Sequence, residues 1–334
     1  MPLYAGNQST SMKQYSFFLC ALVLSAVTTR AEAQALYGAT SSGHGELYIL
    51  DATTGGVLQD VGPLNDAGAV NYSVTGMAFD PITGVLYGST GGASGHNLLT
   101  IDATSGLVNV VGSFNVGTIT MTDLAFDSAG NLYGISSTGG ANLYSVNPAT
   151  GQATLIGLSG LSFTEGGGLA ISSGGIFYCA PIPGEYGTYN PTTGAYTHIT
   201  SPATPVGGGS YGALAFNGSA LYGDNLLAGT GGGGATHLVM IDPGTGNVTD
   251  IGASVTHLDA IAFRPLPSLS VRSVTNSVLV SWQSWASSFR LQENTNLATT
   301  NWVSNTNHVS VTGNVSQVTV SPVGGSKFFR LISP

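Results

Sequence analysis

Between Gln34 and Phe263 the sequence contains no lysine and no arginine, although 14 of its 16 acidic residues lie there. A segment of formal charge −14 with no cationic side chain cannot neutralise phosphates, so nucleic acid is excluded as its partner. Arginine clamps, P-loops and Schiff-base lysines are excluded with it. Cysteine is almost as scarce. Cys20 falls in an N-terminal leader, which leaves Cys179 alone in the mature chain, and no intrachain disulfide forms. No apolar run reaches the ~20 residues of a membrane-spanning helix. No His-Glu-x-x-His helix occurs, and no serine is expected on a strand-to-helix nucleophile elbow.

What is abundant is glycine, 49 of 334 residues, beside 42% apolar residues and only 7% charged ones. That balance predicts short strands joined by tight turns, an all-β chain. Residues 1–33 are set aside first. Lys13 precedes an apolar run from Phe17 to Val27 and then Ala31-Glu32-Ala33, the pattern of a signal peptide with Met12 as its start and Met1–Ser11 as an upstream extension. The mature chain is therefore expected outside the cytoplasm, secreted or at the cell surface. A lipid on Cys20 is the weaker alternative, because an apolar tail follows it.

Three signatures recur along residues 34–263. Leu-Tyr-Gly appears at Leu36-Tyr37-Gly38, Leu86-Tyr87-Gly88, Leu132-Tyr133-Gly134 and Leu221-Tyr222-Gly223, with Phe177-Tyr178-Cys179 as the variant fourth copy. An x-Ala-Phe triplet appears at Met77–Phe79, Leu124–Phe126, Leu214–Phe216 and Ile261–Phe263, with Leu169-Ala170-Ile171 as its variant. Between them stand turns of the form Asx-x-x-x-Gly, at Asp51–Gly55, Asp102–Gly106, Asn147–Gly151, Asn190–Gly194 and Asp242–Gly246. The Asx side chain bonds backbone two residues on and glycine takes the left-handed position, so each is hairpin chemistry. Tyrosine spacings of 50, 46, 45 and 44 residues, with four short strands per period, are those of a propeller blade. The first Leu-Tyr-Gly has no triplet before it and the last triplet has no Leu-Tyr-Gly after it. The last triplet should therefore complete the first blade, closing a five-bladed ring. The alternative is an open solenoid with incomplete ends.

Five basic residues against one acid from Arg264 onward mark a second region, with residues 264–267 as linker and 268–334 as a small β-sandwich. The repeats resemble the extracellular bacterial propellers whose blades read Ala-Phe-Asp-Pro…Leu-Tyr-Gly…Ile-Asp…Thr-Gly. Val278–Trp282, Phe289–Gln292, Asn301-Trp302 and Phe328–Leu331 resemble the C-terminal fibronectin-III-like domain on exported proteins of Verrucomicrobia and related bacteria. The first resemblance implies architecture and the second an accessory module; neither implies an activity.

Candidate site residues are those that depart from the repeat, since loops carry function. The segments leading into the inner strands supply Tyr72 with Thr75, Thr122 with Asp123, Glu165, Ser210 with Tyr211, and His257 with Asp259. All should converge on the mouth of the central channel. A second, Gly- and Ser-rich set of loops adds His44, Glu46, His96, Glu185, Asp224 and His237. Carboxylates around an axis suit a hard cation such as Ca²⁺, or a general acid and base for glycoside cleavage, as in five-bladed sugar hydrolases, or simply the capping of backbone amides. The leading expectation is a non-catalytic monomer binding an extracellular glycan or protein, with Ca²⁺ as a candidate ion. Kept beside it are a hydrolase of polysaccharide or lactone using Asp123, Glu165 and Asp259, and a purely structural surface module.

Overall fold

The computed structural model describes residues 34–41, 44–137, 139–161, 167–202, 209–226, 235–274, 277–321 and 326–333. The expected leader and Glu165 lie outside them. The described chain is all-β. Its first strands are β1 (Leu36–Thr40), β2 (Glu46–Leu50) and β3 (Val57–Pro63), then β4 (Val74–Phe79), β5 (Leu86–Thr90), β6 (Asn97–Ile101) and β7 (Val108–Ser113). The third group is β8 (Met121–Phe126), β9 (Leu132–Ser136), β10 (Leu143–Val146) and β11 (Ala153–Gly157). Then come β12 (Gly168–Ile171), β13 (Phe177–Ala180), β14 (Tyr186–Tyr189) and β15 (Tyr196–Thr200). The run ends with β16 (Tyr211–Asn217), β17 (Ala220–Asn225), β18 (His237–Ile241), β19 (Val248–Ala253) and β20 (Leu258–Phe263).

These strands form repeated four-stranded antiparallel sheets in a propeller-like arrangement. Sheet one is β20-β1-β2-β3; sheets two to five are β4–β7, β8–β11, β12–β15 and β16–β19. The last triplet does complete the first sheet, with Leu36 opposite Phe263 and Tyr37 opposite Ala262. The inner strands touch in the order β20, β4, β8, β12, β16, and β16 touches β20.

What holds neighbouring sheets together is written in the repeat. The tyrosine of each Leu-Tyr-Gly meets an aromatic ring of the next sheet: Tyr37 with Phe79, Tyr87 with Phe126, Tyr178 with Phe216, and Tyr222 with Phe263. Such tilted pairs contribute ~0.5–1.5 kcal/mol each beyond their buried area. Sheet four has Ile171 where the others have Phe, and Phe177 where they have Leu. Those two residues face each other across β12 and β13, and Tyr133 meets Phe177 at 4.8 Å. The ring has moved across the strand pair, and the contact is kept.

The turns are equally regular. Asp51, Asp102, Asn147, Asn190 and Asp242 each accept the amide two residues on, at 2.7–3.0 Å. The closing glycine of each turn packs on the end of the preceding sheet's outer strand. A Cβ on Gly55, Gly106, Gly151 or Gly194 would lie within 3.0 Å of a carbonyl oxygen of Gly252, Gly62, Gly112 or Gly157 respectively. In the fifth case the outer strand offers Thr200, whose methyl fills the place beside Gly246. These backbone contacts also run from sheet five to sheet one.

Beyond residue 263 the strands are β21 (Ser270–Val274), β22 (Ser277–Gln283), β23 (Arg290–Asn294), β24 (Val303–Ser304), β25 (Ser310–Thr312), β26 (Val315–Val320) and β27 (Phe328–Ile332). They form two sheets, β21-β22-β26-β25 and β24-β23-β27, which share an apolar cluster around Val280, Trp282, Leu291 and Val318. Trp285 leans outward from this cluster onto Gly84, where a Cβ would stand 2.7 Å from the indole.

Candidate functional site

An inner strand is paired on one side only, so amides on its other side face the axis and need partners from outside the ladder. Two positions just before each x-Ala-Phe triplet decide what they meet. The first is Thr75, Thr122, Gly167, Gly212 and Asp259 in sheets two, three, four, five and one; the second is Gly76, Asp123, Gly168, Ala213 and Ala260. Thr75 Oγ1 donates to the Met121 carbonyl at 2.9 Å and Thr122 Oγ1 to that of Gly167 at 3.1 Å, tying each strand start to the next sheet.

At the second position four small residues leave space for one carboxylate. Asp123 is fully buried; its Oδ1 accepts the Leu124 amide at 2.8 Å, and its Oδ2 accepts those of Leu169 at 2.8 Å and Leu214 at 3.0 Å. Leu124, Leu169 and Leu214 hold the same place in three successive repeats, so this carboxylate joins three inner strands at the axis. A Cβ on Gly76 would come within 2.4 Å of the Asp123 Cα, which is why that repeat carries glycine. Burial pushes the Asp123 carboxyl well above the usual carboxylate range, against the pull of its three amides.

Beside it stand Asp224 and Asp259. A register shift between Tyr211 and Leu214 disturbs the ladder opposite Asp224, whose Oδ1 accepts the Ala213 amide at 2.7 Å. Its Oδ2 is buried without a partner among the described residues, and burial, then the charge of Asp259, raise its carboxyl well above the ordinary value. Asp259, on β20, is pushed up to about 7 by burial, opposed by a hydrogen bond from Ser41.

The remaining candidates disperse. Tyr211 is 2% exposed and packs in the cluster between sheets four and five; burial raises its phenol to about 12, and its hydroxyl has no partner. Tyr72 rests half-buried on the core between sheets one and two and donates to Asp66 at 3.0 Å. His257 is exposed in a turn at φ 62°, and its carbonyl accepts the Ser41 amide. Asp224, from the other set of loops, thus feels the charge of Asp259 and in turn acts on Asp123, while Tyr211 lies in the interior.

Elsewhere His198 meets Glu185 at 2.6 Å, His237 meets Asp250 at 2.8 Å and His96 meets Thr120 at 3.2 Å, each on its own sheet or a sheet edge. Cys179 is fully buried, and desolvation holds its thiol well above the normal value. Gly208–Gly212 spells Gly-x-Ser-x-Gly, but Tyr211 opens a strand and no helix follows Ser210, so this is no nucleophile elbow. Among the described residues, no three His, Cys, Asp or Glu side chains are grouped to hold a metal, and no helix is long and apolar enough to cross a membrane. Below the carboxylates a cavity of about 130 Å³ is lined by the five triplets alone, from Met77–Phe79 to Ile261–Phe263.

No curated protein matches the sequence. Solved structures similar to it include a chain of the nidogen/laminin complex, with a TM-score of 0.46 and 14% identity over 74% of this chain and 88% of that one. A protein of unknown function from Bacteroides caccae scores 0.45 at 14% identity over 70% of this chain and all of that one. Hydrazine synthase of Kuenenia stuttgartiensis scores 0.36 at 16% identity over 76% and 64%. A repeat family matches residues 63–230, from the second sheet through the first two strands of the fifth, and the chain belongs to that family, described as a repeat of unknown function (DUF6923).

Proposed function

We propose that the chain is an exported, non-catalytic binding protein: a closed five-bladed β-propeller over residues 34–263, joined through 264–267 to a fibronectin-III-like β-sandwich over 268–334. Its ligand is an extracellular glycan or protein, taken by a monomer on the face where the inner strands begin, with Ca²⁺ as a candidate ion. The observation that carries this reading is the state of Asp123. Its oxygens serve three backbone amides and are closed to solvent, so the strongest catalytic candidate is spent on the scaffold. What the same mouth exposes is His257, an L-residue held at φ 62°, a conformation that persists only where the surroundings enforce it.

A glycan and extracellular-protein array with and without chelator tests the reading. Binding that falls at least tenfold in His257→Ala is the expected result; undiminished binding by that variant removes the assignment of the face. One observation favours a hydrolase of polysaccharide or lactone instead: burial pushes the Asp259 carboxyl up to about 7, a range that suits a general acid. Turnover that disappears in Asp259→Asn would establish that second reading.

A further inference from the structure

Asp224 on β17 and Asp259 on β20 both direct an oxygen toward Gly212, where sheet five abuts β20. Asp224 is fully buried on β17, with one oxygen on the Ala213 amide and the other without a partner among the described residues. Both carboxylates approach the place a Cβ on Gly212 would take, the Asp259 Oδ1 at 2.2 Å and the Asp224 Oδ1 at 3.2 Å. Glycine at 212 is what makes room for the pair.

An unpartnered buried carboxylate oxygen beside a second carboxylate is strongly unfavourable unless a cation or a proton neutralises it. Residues 34–263 contain no lysine or arginine. The groups that face the pair are few. Asp123, on β8, adds a further like charge to Asp224; the Gly212 and Ala213 amides on β16 favour a charged Asp224; the Ser41 hydroxyl, after β1, favours a charged Asp259. His257, two residues before Asp259, points its exposure to solvent, and Tyr211 belongs to the cluster between sheets four and five. With no grouping of three ligating side chains among the described residues, a proton is the neutralising species.

We propose that Asp224 and Asp259 share one proton in a carboxyl–carboxylate hydrogen bond that ties β20 to sheet five and is lost as the pH rises. The proton removes the charge from a carboxyl group whose Oδ2 is buried and unpartnered among the described residues. Its release to solvent leaves two like charges in the seam where the last strand of the repeats meets the fifth sheet. The raised carboxyls agree with this in direction, Asp259 lying at about 7 against an ordinary 3.8. Stability from the shared proton is complete below the ordinary value, declines as the pH climbs toward 7, and is gone above it.

The test is thermal unfolding of the full chain from about pH 4 to about pH 9, with infrared titration of protonated carboxyl. Wild type should lose on the order of 5–10 °C in Tm between pH 4 and neutrality and then level off. Asp224→Asn, whose amide donates to Asp259 at every pH, should flatten that profile and match or exceed wild type at high pH. A protonated-carboxyl band should persist in wild type to near neutral pH and weaken in Asp259→Asn. A flat wild-type profile, or an unchanged one in Asp224→Asn, overturns the proposal. So does a rise in Tm with added Ca²⁺ at high pH that Asp224→Asn abolishes, which would put a metal where the proton is placed. Should Asp224→Asn not fold, the loss or persistence of the near-neutral band in Asp259→Asn decides, since the raised Asp123 carboxyl is present in both proteins. Loss of glycan or protein binding bears on none of these outcomes, so the binding reading and the shared proton fail separately.

Discussion

Replacing Asp123 by alanine isolates the role assigned to it. Alanine already stands at the equivalent position in sheets five and one, as Ala213 and Ala260, so the substitution creates no steric conflict. It removes acceptors for three amides, those of Leu124, Leu169 and Leu214, at 2.8–3.0 Å. A buried donor left without a partner costs ~1–3 kcal/mol. Three would cost roughly 3–9 kcal/mol, from which the desolvation cost of the lost buried carboxylate must be subtracted. Water entering the axis recovers part of the rest, and a net loss of about 3–4 kcal/mol is expected. At ~2–4 °C per kcal/mol this lowers Tm by about 6–16 °C in a calorimetric scan. Asp123→Asn, which keeps an acceptor oxygen, should fall between the two. A Tm for Asp123→Ala within about 1 °C of wild type, beside a lost activity or ligand, would refute the structural role and return Asp123 to the functional site.

Gly151→Ala sets a side chain at φ 80° and 2.4 Å from the Gly112 carbonyl oxygen, and should lose ~2–4 kcal/mol in denaturant titration. Gly175→Ala, at φ 77° with nothing near its Cβ, should lose only ~1 kcal/mol. Phe177→Leu should cost ~1–2 kcal/mol by removing the ring that Tyr133 meets, and adding Ile171→Phe should return most of it, a coupling that a double-mutant cycle reads directly. Tyr222→Ala and Tyr37→Ala should destabilise equally, by ~3–5 kcal/mol, because the seam between sheets five and one is packed like the others; a Tyr222→Ala cost under half of that for Tyr37→Ala would mark an open seam.

The repeat was legible in the sequence because turn chemistry and strand pattern are local. Asx at the first position and glycine at the fifth dictate the same hydrogen bond in every copy. Phase then indicated that Ile261–Phe263 belongs with Leu36–Gly38. Two things stayed hidden. Gly62, Gly112, Gly157 and Gly252 end outer strands in register with the turn glycines, yet their purpose appears only when neighbouring sheets are stacked. A one-period offset comparison of the glycines would have found them. The small residues around Asp123 were likewise visible as Gly76, Gly168, Ala213 and Ala260, but that four small residues enclose one carboxylate depends on strand starts converging. Tyr211 read as a loop residue; the shifted register at the start of β16 places it inside. Asp224 reads from the sequence as part of the second set of loops, since nothing local shows that it feels the charge of Asp259.

The proposed closed ring rests on the pairing of β20 with β1, which returns the last strand of the repeats to the first. Ala39 lies directly opposite Ala260 in that pairing. Opposed residues of antiparallel strands bring their Cα atoms to ~4.5–5.5 Å, inside the range a disulfide spans. Oxidation of the Ala39→Cys/Ala260→Cys variant, read as mobility on a non-reducing denaturing gel, should give nearly complete intramolecular cross-linking while buried Cys179 stays reduced. Both introduced thiols remaining free after oxidation in the folded protein would contradict closure, and with it the mouth on which the functional reading stands.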